Sequence, residues 1–182
     1  MSRVGKLLIA NPNFPSESPF AKSVIYVYQD DPAAGTIGLI LNKPSESVSR
    51  FCDINGVMFP DTESRIHIGG PVNPSAIILL HTDDWLSTNS ASIGNGLRIS
   101  SDNFMFMKIS TGNEPIYWRA FLGISAWRPG QLDTELEGEF PYVKNMWLIA
   151  DANDDVIFNY DGEDQWVRAV DLCSQQTINH FF

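Results

Sequence analysis

The apolar residues of this chain come in runs of strand length separated by proline and glycine, and that rhythm limits the folds open to it more than any other feature. The longest wholly apolar runs, such as Ala76-Ile77-Ile78-Leu79-Leu80, stop far short of the ~20 residues a membrane-spanning helix requires. Lys6 to Ala10 reads as a first strand. Ser23 to Tyr28 reads as a second, because Val24, Ile25 and Val27 are β-branched and Tyr26 and Tyr28 are aromatic. Gly35 to Asn42 is apolar almost throughout, as a strand buried on both faces must be. Further strands are expected at Ile66 to Ile68, Ala76 to Leu80, Ile116 to Leu122, Trp147 to Ala150 and Val156 to Asn159, with a hairpin at Gly94-Asn95-Gly96.

Helices are expected where capping residues meet a helical period. Ser45 can cap a helix through Cys52, and Ser101-Asp102 opens one closed by Gly112. Pro129 introduces another over Gln131 to Glu137. Asp161 caps a final helix in which Trp166, Val170 and Cys173 share an apolar face. Gly69 to Pro74 reads as a sharp turn, and Asp151 to Asp155 as a solvated acidic loop. Strands and helices interleave without a βαβ rhythm. The expectation is therefore an α+β fold, a single compact domain over residues 1–182, with a mixed or antiparallel β-sheet core flanked by a few short helices.

Charge narrows the function. A formal net charge of −10 with twelve scattered Lys and Arg leaves no basic stripe for phosphates, so direct DNA binding is disfavoured. Leu7 to Ala10 ends too early for a signal-peptide core, which points to the cytoplasm. Cys52 and Cys173, in no CxxC arrangement, should remain thiols there.

Chemical motifs fail in specific ways. Asp151, Asn153 and Asp155 have the opening spacing of a calcium loop, but Val156 and Gly162 stand where Gly and Glu are needed. Gly123-Ile-Ser125-Ala-Trp127 carries a tryptophan at the last glycine of a nucleophile elbow. His67, His81 and His180 lack zinc-site spacing, so no metal and no cofactor are expected. His81, at the end of a buried strand, is the best general-base candidate, although a hydrogen-bonded structural role is commoner for such a residue. Trp127 stands beside Arg128-Pro129-Gly130-Gln131, where a turn, free amides and a helix start come together.

Gly38-Leu39-Ile40-Leu41-Asn42-Lys43-Pro44, Gly69-Gly70-Pro71-Val72, Leu80-His81 and Trp127 to Leu136, in that order and spacing, resemble the YqgE/AlgH family. Leu8 to Pro12, Phe20 to Val24, Trp147-Leu148, Ile157 to Asn159 and Trp166 extend the likeness over nearly the whole chain. The resemblance implies a small bacterial cytoplasmic protein with a compact α+β fold. It leaves the biochemical activity undefined, though some members carry a transcriptional-regulator label. Asp30 stands where the family usually has a histidine after the second strand, Glu17 only approximates an acidic position, and Ile178 to Phe182 departs from a Gly-rich end.

Two function classes follow. One is a non-catalytic binding or regulatory domain, acting on a small molecule or protein partner and affecting transcription only indirectly. The other is an enzyme with a site near His81, Asn42 and Gln131. Asn42, Gly69, Gly70, His81, Trp127, Gly130 and Gln131 are the ligand-binding candidates, expected to gather on one face of the sheet.

Overall fold

The computed structural model describes every residue except Asp61, Phe140, Tyr142 and Val143. In chain order the elements are β1 (Lys6–Ala10), β2 (Val24–Asp31), β3 (Gly35–Ile40), β4 (Pro44–Ser47), α1 (Val48–Ile54), β5 (Arg65–Ile68), β6 (Val72–Thr82), β7 (Ser90–Gly94) and β8 (Leu97–Ser100). They continue with α2 (Met105–Ser110), β9 (Trp118–Trp127), α3 (Gln131–Glu137), β10 (Trp147–Asp151), α4 (Asp154–Phe158) and α5 (Gly162–Phe181). The class is α+β, and the described strand pairs are antiparallel except β5 with β9. The chain divides into two compact units, Met1–Lys43 with Ser125–Phe182, and Pro44–Ile124.

In the first unit the strands run in the order β10, β1, β2, β3, followed by the last three residues of β9. Leu7, Leu8, Ile9 and Ala10 of β1 are all fully buried, because side chains on both faces of this strand are covered. Leu8 and Ala10 pack with Ile25, Val27, Ile40, Trp127, Leu132 and Trp147. α5 packs against β10, β1 and β2, and the Trp166 indole donates to the Ala10 carbonyl (2.7 Å). An unbroken apolar run in β1 is what such double coverage demands. Gly35 (φ +96°) starts β3 so close to the Trp127 carbonyl that any side chain there would overlap it.

The second unit orders its strands β7, β8, β6, β9 and β5, with β4 paired to β5. Its core gathers Val48, Cys52, Ile66, Leu79, Trp85, Met105, Phe106, Ile109 and Ala120. Asn95 and Gly96 both take positive φ, as the tight turn joining β7 to β8 requires.

Four local expectations change. Ser45 lies in β4, and the residue whose hydroxyl caps α1, by accepting from the Arg50 amide, is Ser47. Val72 to Pro74 already belong to β6, where a register shift between Val72 and Ile77 absorbs the irregular backbone at Asn73 (φ 47°). Asp151 to Asp155 is the end of β10 and the opening of a helix rather than a solvated loop. Val156 to Phe158 are accordingly helical, because the Asn153 side chain accepts from the Val156 amide and Asp154 and Asp155 complement the dipole. The β-branched Val156 and Ile157 suggest a strand, but the cap decides. α5 is also long, at 20 residues.

Candidate functional site

Four polar arrangements and one close backbone approach hold the residues that the sequence singles out. In the first unit, β9 ends at Trp127, Gly130 takes the left-handed conformation (φ 77°) and α3 begins at Gln131. The Gln131 carbonyl oxygen Oε1 accepts from the Arg128 amide (3.1 Å), while Nε2 donates to Glu135 Oε1 (3.1 Å). Glu135 Oε2 accepts from both Trp127 Nε1 and Trp147 Nε1, each at 3.1 Å. The two indoles meet edge to face at 6.4 Å, and Phe14 and Phe20 pack on Trp147. Trp127 and Gln131 are therefore brought together, but by Glu135, which is not among the residues singled out from the sequence. The backbone amide of Gln131, expected to be free, donates to the Arg128 carbonyl (2.9 Å).

Asn42 is a staple in the same unit. Its Oδ1 accepts from the Val24 amide (2.9 Å), and its Nδ2 donates to the carbonyls of Lys22 (2.8 Å) and Gly162 (2.9 Å). Nearly all its bonding capacity is spent on holding three chain segments.

Gly130 is the expected residue that lines a cleft in this unit. The cleft, about 260 Å³, is also lined by Arg3, Asp30, Asp31, Thr36 and Asp133. Asp30 Oδ2 accepts from the Arg3 amide (2.7 Å) and lies 3.5 Å from its guanidinium, while Oδ1 accepts from the Thr36 hydroxyl (2.7 Å). Arg3 also pairs with Asp133. Asp31 Oδ1 accepts from the amides of Ala33 and Ala34. The Ala34 bond first, then the Ala33 bond, hold this carboxyl below its ordinary range. Two carboxylates, Asp30 and Asp133, thus pair with one guanidinium, and a third, Asp31, lines the same cleft. Asp30, noticed in the sequence only as a replacement for histidine, anchors the floor.

In the second unit, Gly69 donates its amide to the Leu122 carbonyl (2.8 Å), and the Gly70 carbonyl presses on Gly123 (φ +72°), where no side chain fits. Those glycines make a close backbone approach to β9, whereas His81 bonds toward β8. His81 Nδ1 lies 2.7 Å from the Thr82 carbonyl and Nε2 lies 2.8 Å from Ser100 Oγ, which is 2.6 Å from Ser90 Oγ. A carbonyl can only accept, so Nδ1 carries the proton and Nε2 is the acceptor. The Ser100 hydroxyl then donates to Nε2 and the Ser90 hydroxyl to Ser100, while Ser90 itself accepts from the Ser87 amide (2.9 Å).

This oriented chain has the contact of a nucleophile with its base, yet it is sealed. His81 is 0% exposed and Ser100 is 1% exposed, and Trp85 closes over the imidazole edge-on at 5.0 Å. Burial is the main reason that the imidazole titrates below its usual value, with Arg98 adding to it and Thr82 and Asp84 opposing. Ser100 and Ser90 escaped sequence reasoning because a bulge sets their register. A regular hairpin about Asn95-Gly96 would place Ser92 opposite Ile99. The shift between Ser92 and Gly94 places Ser92 opposite Arg98 and Ser90 opposite Ser100.

No helix among the described residues is long and apolar enough to cross a membrane. The AlgH-like family model, DUF179, matches residues 7–177. A UPF0301 protein of Methylococcus capsulatus is 30% identical over 169 residues, covering 91% of this chain and 88% of that one. One from Chlorobium phaeobacteroides is 35% identical over 169 residues, covering 91% and 84%. The solution structure of the AlgH protein from Pseudomonas aeruginosa aligns with a TM-score of 0.74 at 25% identity, over 92% of this chain and 87% of that one. With the family pattern running through both units and the fold matching a solved member, this chain belongs to the AlgH-like family of UPF0301 proteins.

Proposed function

We propose that this protein is a non-catalytic binding domain of the cytoplasm whose ligand site is the cleft lined by Arg3, Asp30, Asp31, Thr36, Gly130 and Asp133. The observation that carries this reading is the charge balance of that cleft, where three carboxylates and one guanidinium line backbone held by β2, β3 and the start of α3, and two of the carboxylates pair with the guanidinium. Such a site takes a small polar molecule bearing an ammonium or guanidinium group, which adds hydrogen-bond donors to the carboxylates. The enzyme reading built on His81, Asn42 and Gln131 is disfavoured, because their polar atoms are already engaged within the fold. Any regulatory output, including an effect on transcription, would pass through a protein partner, since a net charge of −10 repels a nucleic-acid backbone.

The test is thermal unfolding against a panel of small amines, amino acids and polyamines, with neutral analogues as controls. A true ligand raises stability by about 2.7 kcal/mol at a hundredfold excess over its Kd. The gain should vanish in Asp133→Asn. A panel in which no cation stabilises the protein, or in which the variant gains as much as the wild type, would falsify the reading.

A further inference from the structure

Arg98 holds one guanidinium donor, Nε, that is left without an acceptor among the described residues. It sits in β8, opposite Ser92 of β7 on one side and opposite His81 of β6 on the other, so the three side chains lie in one row on one face of the sheet. Its Nε–H is buried and meets no acceptor among the described residues. Ser92, its neighbour toward the sheet edge, is exposed. The rest of the row is spoken for. His81 is closed by Thr82 and Ser100, and Ser90 is bonded to Ser100.

Two carboxylates of this unit are engaged with other groups. Asp84 accepts from the Ile116 amide, and Asp102 accepts from the Ser87 hydroxyl and the Asn89 and Phe104 amides. No ion pair to Arg98 is found among the described residues, in a chain with 22 acidic residues against 12 basic ones. The approach to it is uncharged as well, since no residue from Leu86 to Leu97 carries a formal charge.

We propose that Arg98, with the Ser92 hydroxyl beside it, binds an oxyanion, a carboxylate or phosphate group that approaches over the edge strand β7. A guanidinium offers parallel N–H donors whose spacing matches two oxygens of either group. A buried N–H without an acceptor costs the fold free energy that a bound oxygen recovers after a modest turn of the half-buried side chain. The row leads from the open edge at Ser92 inward to sealed His81, so the anion would rest on a rigid floor. The site lies wholly within the Pro44–Ile124 unit and does not depend on the cleft lined by Asp30 and Asp133.

The experiment is a titration of the ¹⁵N-labelled full chain with inorganic phosphate in one arm and acetate in the other, with chloride holding ionic strength constant. The readouts are the Arg98 Nε–H signal and the backbone amides of Ser92 and Arg98. Saturable movement of these signals is expected, with the stronger arm identifying the oxyanion. Arg98→Gln should abolish it, and Arg128→Gln, removing an exposed guanidinium in the other unit, should leave it unchanged. If Arg98→Gln does not fold, Arg98→Lys keeps the charge without the fork and should weaken binding at least about tenfold. Signals that drift linearly with both salts, or that saturate equally in the Arg98 variants, overturn the site.

Discussion

Glu135 in the first unit and His81 in the second are both polar centres set among aromatic rings, and they solve the problem of burial in opposite ways. Glu135 stays half-exposed on α3 and gathers donors from Gln131, Trp127 and Trp147, so one carboxylate satisfies two nearly buried indoles. His81 is fully enclosed, and instead of a charge it uses a defined tautomer, giving one proton to Thr82 and receiving one from Ser100. A charge that keeps contact with water can serve as a hub, whereas a group cut off from water must be neutral and fully paired. The ligand site proposed for the first unit accordingly lies in a neighbouring cleft. In the second, the site proposed above lies one strand outward, at Arg98.

Removing the hub should have the largest effect. Glu135→Ala leaves the Trp127 and Trp147 indole N–H groups without an acceptor, at about 1–3 kcal/mol each, so a loss of about 3 kcal/mol is expected in denaturant unfolding. Glu135→Gln, which retains one carbonyl oxygen for both, should lose about 1 kcal/mol. A loss no greater in the alanine variant than in the glutamine variant would show that the indoles do not rely on this carboxylate.

His81→Ala comes next, at about 2 kcal/mol, for a stranded Ser100 hydroxyl and the space left under Trp85. The sharper comparison is its pH dependence. The folded imidazole titrates below the unfolded value of 6.5, so between the two values the unfolded chain binds more protons. Stability contributed by the neutral, buried ring is fully present above about 6.5 and is lost as pH falls from there toward the folded value. His81→Gln should flatten that part of the stability profile. An unchanged slope between wild type and variant would remove His81 from the account.

The smallest effect concerns reactivity alone. Cys52 lies in the second core and Cys173 sits half-buried on α5, its thiol directed at the Ile149 carbonyl (3.4 Å). Burial first, and Asp53 second, push the Cys52 thiol up to about 11, so almost no thiolate is present at neutral pH. Under native conditions a thiol reagent should label Cys173 first and Cys52 only as the protein opens. Equal labelling rates would mean that the second core is less closed than its packing indicates.

Much of the framework was legible from residues close together in sequence. β1 over Lys6–Ala10 and α3 over Gln131–Glu137 follow from local signals, and so do the Asp161 cap of α5 and the tight turn at Asn95-Gly96. Each depends on an apolar period, a cap or a turn residue within a few positions, which is where side-chain chemistry acts directly on φ and ψ. α4 was misread where two local signals competed. Val156 and Ile157 favour extended backbone, but Asn153 and the acids after it supply a complete helix start.

What the sequence by itself determined, then, is the α+β alternation, the acidic balance and the family pattern. Only the tertiary structure decided which polar groups remain available. Trp127, Gln131 and Asn42 look free in the sequence and are consumed by partners 3 to 120 residues away. Arg98 looks unremarkable, yet its Nε finds no acceptor among the described residues. The physical reason is that hydrogen-bond satisfaction is settled across strands and between segments, where a single bulge between Ser92 and Gly94 moves Ser92 from opposite Ile99 to opposite Arg98.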